Sequence, residues 1–164
     1  LALATWDKSL GIVCSFLGEH VGIELEKCVN AYPFTRVFDY PKCIGCETCS
    51  SVCSFLHKGK SYIKIHRVSE GLVVPTSCLH CANPYCREAC KRDAMPRGEL
   101  GEILIDYSKR NNCLDCLYVC PVRAIRISGG KVVNCDLCKL LREHGVRPAC
   151  ISMCPSKAIS LYKP

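Results

Sequence analysis

The chain has 164 residues, 17 of them cysteine, and 22 Lys and Arg against 15 Asp and Glu for a formal net charge of +7. That length suits one compact domain or two small halves packed together, and no apolar run reaches the about 18 residues that a transmembrane helix needs. The cations are scattered (Lys58, Lys60, Arg87, Lys91, Arg92, Arg97, Lys109, Arg110) and aromatic residues make up only 7%, which argues against a nucleic-acid surface. No basic stretch followed by a long apolar one opens the chain, so no secretory signal is read and a cytoplasmic location is expected, with the reservation that Leu1 is not an initiator methionine.

Residues 1–30 read as an N-terminal extension. Thr5 is placed to cap a helix carrying Trp6, Leu10, Val13 and Leu17 on one face and ended by Gly18. Val21, Ile23 and Leu25 then alternate with Gly22, Glu24 and Glu26 at strand period. The segment either packs on the domain's own surface or forms a docking arm for a partner. Cys14 and Cys28 have no neighbours at metal-ligand spacing and read as small buried apolar residues.

The other 15 cysteines fall into four groups, each ending in a cysteine after a three-residue gap. The first is Cys43, Cys46, Cys49 and Cys53; the second Cys78, Cys81, Cys86 and Cys90; the third Cys113, Cys116 and Cys120, followed by Pro121; the fourth Cys135, Cys138, Cys150 and Cys154, followed by Pro155. Two cysteines three positions apart in a tight loop are better placed to chelate one centre than to bridge distant segments. With the odd count and no visible signal, reduced thiolates are expected instead of a disulfide scaffold. Bacterial [4Fe–4S] ferredoxins have this pattern, three cysteines on one cubane and a distant fourth on its neighbour. Zinc throughout is the rival reading, but zinc sites combine two separated pairs, and three cysteines within seven residues plus a remote Cys-Pro suit them poorly.

The stretch after each group repeats as well. After Cys53 come Tyr62, Ile63, Ile65 and Val68, a turn near Glu70–Gly71, then Leu72, Val73 and Val74. Cys90 is followed by Ala94 and Met95, a turn around Gly98 and Gly101, then Ile103, Leu104 and Ile105; Cys120 by Ala124, Ile125 and Ile127, the turn Gly129–Gly130, then Val132 and Val133; Cys154 by Ala158, Ile159 and Leu161. Each reads as a helical turn bearing the last cysteine, then an alternating strand and a tight turn. The expected class is α+β, short helices and β-hairpins. Such units bury too little apolar surface to fold alone, so clusters would serve as core and ligation would supply folding energy.

The runs KCIGCETCSSVC from Lys42 and CLHCANPYCREAC from Cys78, with the C-x2-C-x11-C-x3-C-P from Cys135, resemble the iron–sulfur subunit of molybdenum and tungsten oxidoreductases over roughly residues 31–164. The resemblance implies two bacterial-ferredoxin-like, two-cluster halves, an outer one of residues 31–75 with 130–164 and an inner one of 76–129. It implies crossed ligation: Cys43, Cys46 and Cys49 with remote Cys154, Cys135, Cys138 and Cys150 with remote Cys53, and Cys78, Cys81 and Cys86 with Cys120, each set for one [4Fe–4S] cluster. Three such clusters at about −2 each would bring the net charge of +7 near +1, so the cations read as counter-charge.

The fourth site is incomplete. Counting the spacing back from Cys120 through Cys116 and Cys113 puts Arg110 where a cysteine belongs, which leaves Cys113, Cys116 and remote Cys90. Four outcomes stand: a [3Fe–4S] cluster on three thiolates, a vacant site with Arg110 against the free thiols, a [4Fe–4S] cluster completed by Asn111, Asp115, water or a partner's residue, and zinc with a fourth ligand. His80, between Cys78 and Cys81, is expected to hydrogen-bond toward a cluster sulfur and to tune its potential by charge. His20, His57, His66 and His144 are given no role.

No phosphate-cradling loop, nucleophile motif or paired-carboxylate site is evident. The expected role is a non-catalytic, one-electron relay within an anaerobic oxidoreductase complex. The resemblance implies a larger catalytic subunit bearing a tungsten or molybdenum pterin and an external redox protein such as ferredoxin. Within it, the small subunit of tungsten benzoyl-CoA reductase is the nearest expectation, then that of tungsten aldehyde oxidoreductase. A formate dehydrogenase or hydrogenase subunit, a free polyferredoxin, and a zinc-stabilised interaction module are the rivals.

Overall fold

A computed structural model describes residues 35–162. The helix and strand expected within residues 1–30, with Cys14 and Cys28, lie outside the described residues. The described chain is a small α+β structure. Its elements are β1 (Thr35–Phe38), α1 (Thr48–Leu56), β2 (Lys64–Ser69), β3 (Leu72–Thr76), α2 (Tyr85–Glu88), α3 (Asp115–Tyr118), β4 (Arg126–Ser128), β5 (Lys131–Val133), α4 (Lys139–Glu143), α5 (Ala149–Ser152) and β6 (Ile159–Tyr162). Among the described residues no helix is long and apolar enough to cross a membrane.

All the helices are far below the about 12–15 residues at which an isolated helix becomes marginal in water. They depend on what they pack against. Three two-stranded antiparallel ribbons frame them. β2 and β3 form the hairpin expected after Cys53, closed at Gly71 (φ +80°). β4 and β5 form the hairpin expected after Cys120, and Gly129 (φ +57°) with Gly130 (φ +70°) supplies the two consecutive left-handed residues that a type I′ turn requires.

Two expectations are corrected. The strand after Cys154, β6, makes no hairpin of its own; it pairs with β1, Phe38 facing Ile159 and Arg36 facing Leu161. After Cys90 the chain turns back with one isolated bridge, Arg97 to Ile103, extended by Leu104 N–H to the Pro96 carbonyl and Asp106 N–H to the Ala94 carbonyl. Pro96 has no N–H to return, so no ladder of strand length develops.

The β1–β6 pair carries the first and fourth cysteine groups side by side, and α1 lies against α5. In the same way α2 lies against α3, which joins the second and third groups. Among the described residues the apolar core is three small clusters, each built around cysteines: Val74, Val122, Ala124 and Leu137 with Cys78 and Cys135; Phe38, Ile63 and Ile159 with Cys49, Cys53 and Cys150; Met95, Ile103, Ile125 and Val132 with Cys116. The first contains residues from both expected halves, and the turn at Gly129–Gly130, where the expected halves divide, belongs to one hairpin.

Candidate functional site

Four groups of thiols converge. Cys43, Cys46, Cys49 and Cys154 line one cavity, walled by Ile65, Val73, Pro75 and Ile159. Cys78, Cys81, Cys86 and Cys120 line a second, walled by Ile103, Val122 and Ile125. Cys53, Cys135, Cys138 and Cys150 are all buried, and Cys53 and Cys138 each feel Cys135 and Cys150 as charged neighbours. The fourth group, Cys90, Cys113 and Cys116, lines a cavity of about 170 Å³ together with Lys91, Arg92, Arg110, Asn111 and Asp115. The first two cavities are each about 20 Å³. Arg110 hydrogen-bonds the Cys116 sulfur, so the residue in the missing cysteine's position faces the three thiols.

The groups form a series. Cys49 of the Cys43 group has Cys150 of the Cys135 group among its electrostatic neighbours, Cys78 has Cys135, and Cys86 has Cys116. The order is therefore the Cys43 group, the Cys135 group, the Cys78 group and the Cys113 group. Cys46 at one end and Cys113 at the other are exposed, whereas the Cys135 group between them is buried throughout.

The backbone around each group has an unusual conformation that repeats. Glu47 (φ +57°), His80 (φ +53°), Leu114 (φ +68°) and Leu137 (φ +54°) each sit inside a C-x2-C loop, one in each cysteine group, and Asp93 (φ +50°), Arg123 (φ +47°) and Lys157 (φ +53°) stand three residues after Cys90, Cys120 and Cys154 respectively. Each left-handed side-chain-bearing residue costs roughly 1–2 kcal/mol, so such a set persists only where surroundings over-determine it. Alternating right- and left-handed residues turn successive N–H groups into one concavity, a shape that suits an anion such as an iron–sulfur cluster. Backbone N–H groups already reach ligand sulfurs: Tyr62 to Cys53 at 3.2 Å, Ala94 to Cys90 and Ala124 to Cys120 at 3.3 Å, and Leu137 to Cys135 at 3.4 Å.

The donor chemistry agrees. Every cysteine among the described residues is free, and no three His, Cys, Asp or Glu side chains among them stand close enough together to hold one bare metal ion. Thiols spread around a cavity suit a cluster better than a single zinc, whose four ligands converge at about 2.3 Å. Burial pushes the Cys49, Cys86 and Cys138 thiols up to about 12 and Cys78 well above its ordinary value. Cys46, at the open end, is held down by hydrogen bonds from Thr48. Bare, the buried thiols would keep their protons; a coordinating metal removes them.

Three features lie outside what the spacing encodes. Arg36 on β1 is 2% exposed and reaches Cys135 and Cys150; an inward arginine on a short strand leaves no mark that distinguishes it from a surface one. A largely buried pair joins Glu102 Oε1 to Arg142 Nη2 at 2.6 Å, and Arg142 also donates to the Leu137 and Asp136 carbonyls inside the Cys135–Cys138 loop. His80, expected to tune by charge, is instead held neutral. Burial, then Arg36, Arg142 and Arg97, push its pKa well below the ordinary value, and Nδ1 accepts the Ile103 N–H at 3.0 Å, so it has no proton to give Cys78, 3.6 Å away.

Several known proteins are similar to this chain. A polyferredoxin-like subunit of aliphatic sulfonate oxidoreductase from Pyrococcus furiosus is 34% identical over 121 residues, 69% of this chain and 66% of that protein. The thiosulfate reductase electron transfer subunit of Salmonella typhi is 31% identical over 77% of this chain and 73% of its own length. A subunit of the anaerobic dimethyl sulfoxide reductase of Haemophilus influenzae is 25% identical over 74% of this chain and 70% of its own length. Residues 69–163, more than half of the chain, match the 4Fe-4S dicluster domain. With thiol-lined cavities, left-handed ligand loops and these relatives together, the chain belongs to the 4Fe-4S dicluster domain family.

Proposed function

We infer that this chain is the iron–sulfur electron-transfer subunit of a larger oxidoreductase, relaying single electrons between an external redox protein such as ferredoxin and a catalytic subunit that carries a tungsten or molybdenum pterin. The observation that carries it is the serial order of the thiol groups, open at Cys46 and Cys113 and buried between. Iron–sulfur clusters, when bound, supply reversible one-electron steps. Cys43, Cys46, Cys49 and Cys154 would hold one [4Fe–4S] cluster; Cys53, Cys135, Cys138 and Cys150 a second; Cys78, Cys81, Cys86 and Cys120 a third. Cys90, Cys113 and Cys116 would hold a [3Fe–4S] cluster: three thiols suit it, and Lys91, Arg92 and Arg110 around the cavity suit its negative charge.

The polypeptide's part is to hold, insulate and bias. Crossed ligation ties each outer cluster's position to its neighbour's, through Cys53 and Cys154. Ile65, Val73, Pro75 and Ile159 at one cavity, with Ile103, Val122 and Ile125 at another, give the thiols an apolar wall. The two exposed ends are where partners approach. Substrate chemistry belongs to the catalytic partner: benzoyl-CoA reduction or aldehyde oxidation on the resemblance in the cysteine runs, sulfur compounds on the names of the relatives.

Anaerobic purification with iron and sulfide counting tests this reading. Three cubanes and a three-iron cluster give about 15 irons, and three cubanes alone about 12; the Arg110→Cys variant should add one iron in the first case and about four in the second. Co-elution with a pterin-bearing chain is expected. A colourless, zinc-loaded protein refutes the reading.

A further inference from the structure

β1 contributes a buried cation that belongs to no cysteine motif. Arg36 is 2% exposed. Its Nη1 donates to Cys135 Sγ at 3.4 Å and toward Cys150 Sγ at 3.8 Å, while Nη2 donates to the Cys78 carbonyl at 3.0 Å. Its guanidinium carbon lies 5.4 Å from the Phe38 ring centroid, and among the described residues Nε has no hydrogen-bond partner. The fork thus spans two neighbouring thiol groups, with its sulfur-directed end on the Cys135 group and its other end on the backbone of the first cysteine of the Cys78 group.

A purely structural role explains this poorly. A guanidinium stays charged in a protein, and a buried charge is retained only when it is paired. Among the described residues no carboxylate pairs with Arg36, whereas Arg142, a partly buried arginine nearby, has Glu102. One carbonyl bond to Cys78 could be made by a neutral amide. Its nearest side-chain partners are instead Cys135 Sγ at 3.4 Å and Cys150 Sγ at 3.8 Å, which supply the counter-charge once they ligate a cluster as thiolates. Asp136 also faces this group, its Oδ1 accepting the Cys138 N–H at 2.9 Å, and works in the opposite sense from a partly exposed position where solvent screens it.

We propose that Arg36 is a potential-setting residue, which raises the reduction potential of the cluster held by Cys53, Cys135, Cys138 and Cys150 above those of its two neighbours. This rests on the iron–sulfur reading given above. Each added electron increases the negative charge of a thiolate-ligated cluster. A fixed cation hydrogen-bonded to two of its thiolates therefore stabilises the reduced form more than the oxidised one. The buried, second position in the series becomes the place where an electron rests, while the exposed first position passes it on.

The test is redox titration of the iron–sulfur complex, followed by EPR, in wild type, Arg36→Gln and Arg36→Lys, with iron and sulfide counted in each. Arg36→Gln is expected to lower one midpoint potential selectively, by a factor of ten or more in the reduction equilibrium constant, which is about 59 mV for one electron. Arg36→Lys keeps a charge but loses the two-sulfur fork and should lower the same potential by less. Unchanged potentials, or equal shifts in every cluster, in either loaded variant overturn the proposal. Loss of iron from both variants makes Arg36 an assembly residue and also overturns it. Wild type without iron refutes the underlying reading instead, whatever the variants do.

Discussion

The Glu102–Arg142 pair gives the sharpest test of how the ligand loops are held. Glu102 is 3% exposed, and beyond Arg142 its Oε2 accepts the Leu100 N–H at 3.1 Å. A Cβ at Gly98 would stand 2.5 Å from its carboxyl carbon, so the acid sits in a close-fitting slot. Arg142 also donates to the Leu137 carbonyl at 2.9 Å and the Asp136 carbonyl at 3.1 Å, both between Cys135 and Cys138. Removing one partner of a buried pair costs about 3–5 kcal/mol, because the other charge is left uncompensated. Glu102→Gln keeps a carbonyl for Arg142 and should fall near 3 kcal/mol, roughly the lower end of that range. Arg142→Met also strands two carbonyls, each worth about 1–3 kcal/mol when unsatisfied, and should be the worse of the two. The double variant Glu102→Leu/Arg142→Met removes both charges and should recover part of the loss, the carbonyl deficit remaining. Guanidinium unfolding of the cluster-loaded protein, followed by visible absorbance and far-UV circular dichroism, reads the order. Equal costs for the two single variants, or a double variant as damaged as Arg142→Met, would refute the reasoning.

Single sites carry further expectations. Cys154→Ser should remove the cluster of Cys43, Cys46 and Cys49, seen as about four fewer irons and loss of that cluster's EPR signal, with the Cys135-group cluster retained; an intact first cluster sinks the pairing. Gly130 has open space where a Cβ would go but a φ of +70°, so Gly130→Val should cost about 1–2 kcal/mol by backbone strain alone, measured as a lower thermal midpoint with unchanged iron. Asp106 Oδ1 accepts from Ser108 N–H and Oγ–H, which with Lys109 holds its carboxyl below the usual range. A depressed native pKa stabilises the fold above the unfolded value and is lost as pH falls through the native one. Asp106→Asn should therefore lower stability at neutral pH, with the deficit closing as pH falls below about 4, as followed by circular dichroism.

Much of the site was legible because ligand chemistry demands fixed spacing. Cys43, Cys46 and Cys49 lie within seven residues, so local sequence alone brings them together, and the hairpin turns at Gly71 and Gly129–Gly130 are equally local. The partner of β6 was not legible: β1 is four residues, and its pairing with Ile159–Tyr162 closes a loop of more than a hundred residues. A position between two cysteines suggests a charged role for His80, yet says nothing of its burial at 1% exposure or of the Ile103 N–H that takes its lone pair.

By itself the order of residues determined that thiols would gather in four groups, that the third would lack a ligand at Arg110, and that short ribbons would carry them. These depend on geometry spanning a few bonds, where the chain has little freedom. Tertiary structure alone decided the serial order in which the groups follow one another, that the Cys135 group is the buried one, and that Arg36 and Glu102 meet their partners across 99 and 40 positions of sequence. Burial and long-range charge depend on how separate segments close over one another, and no local spacing encodes that.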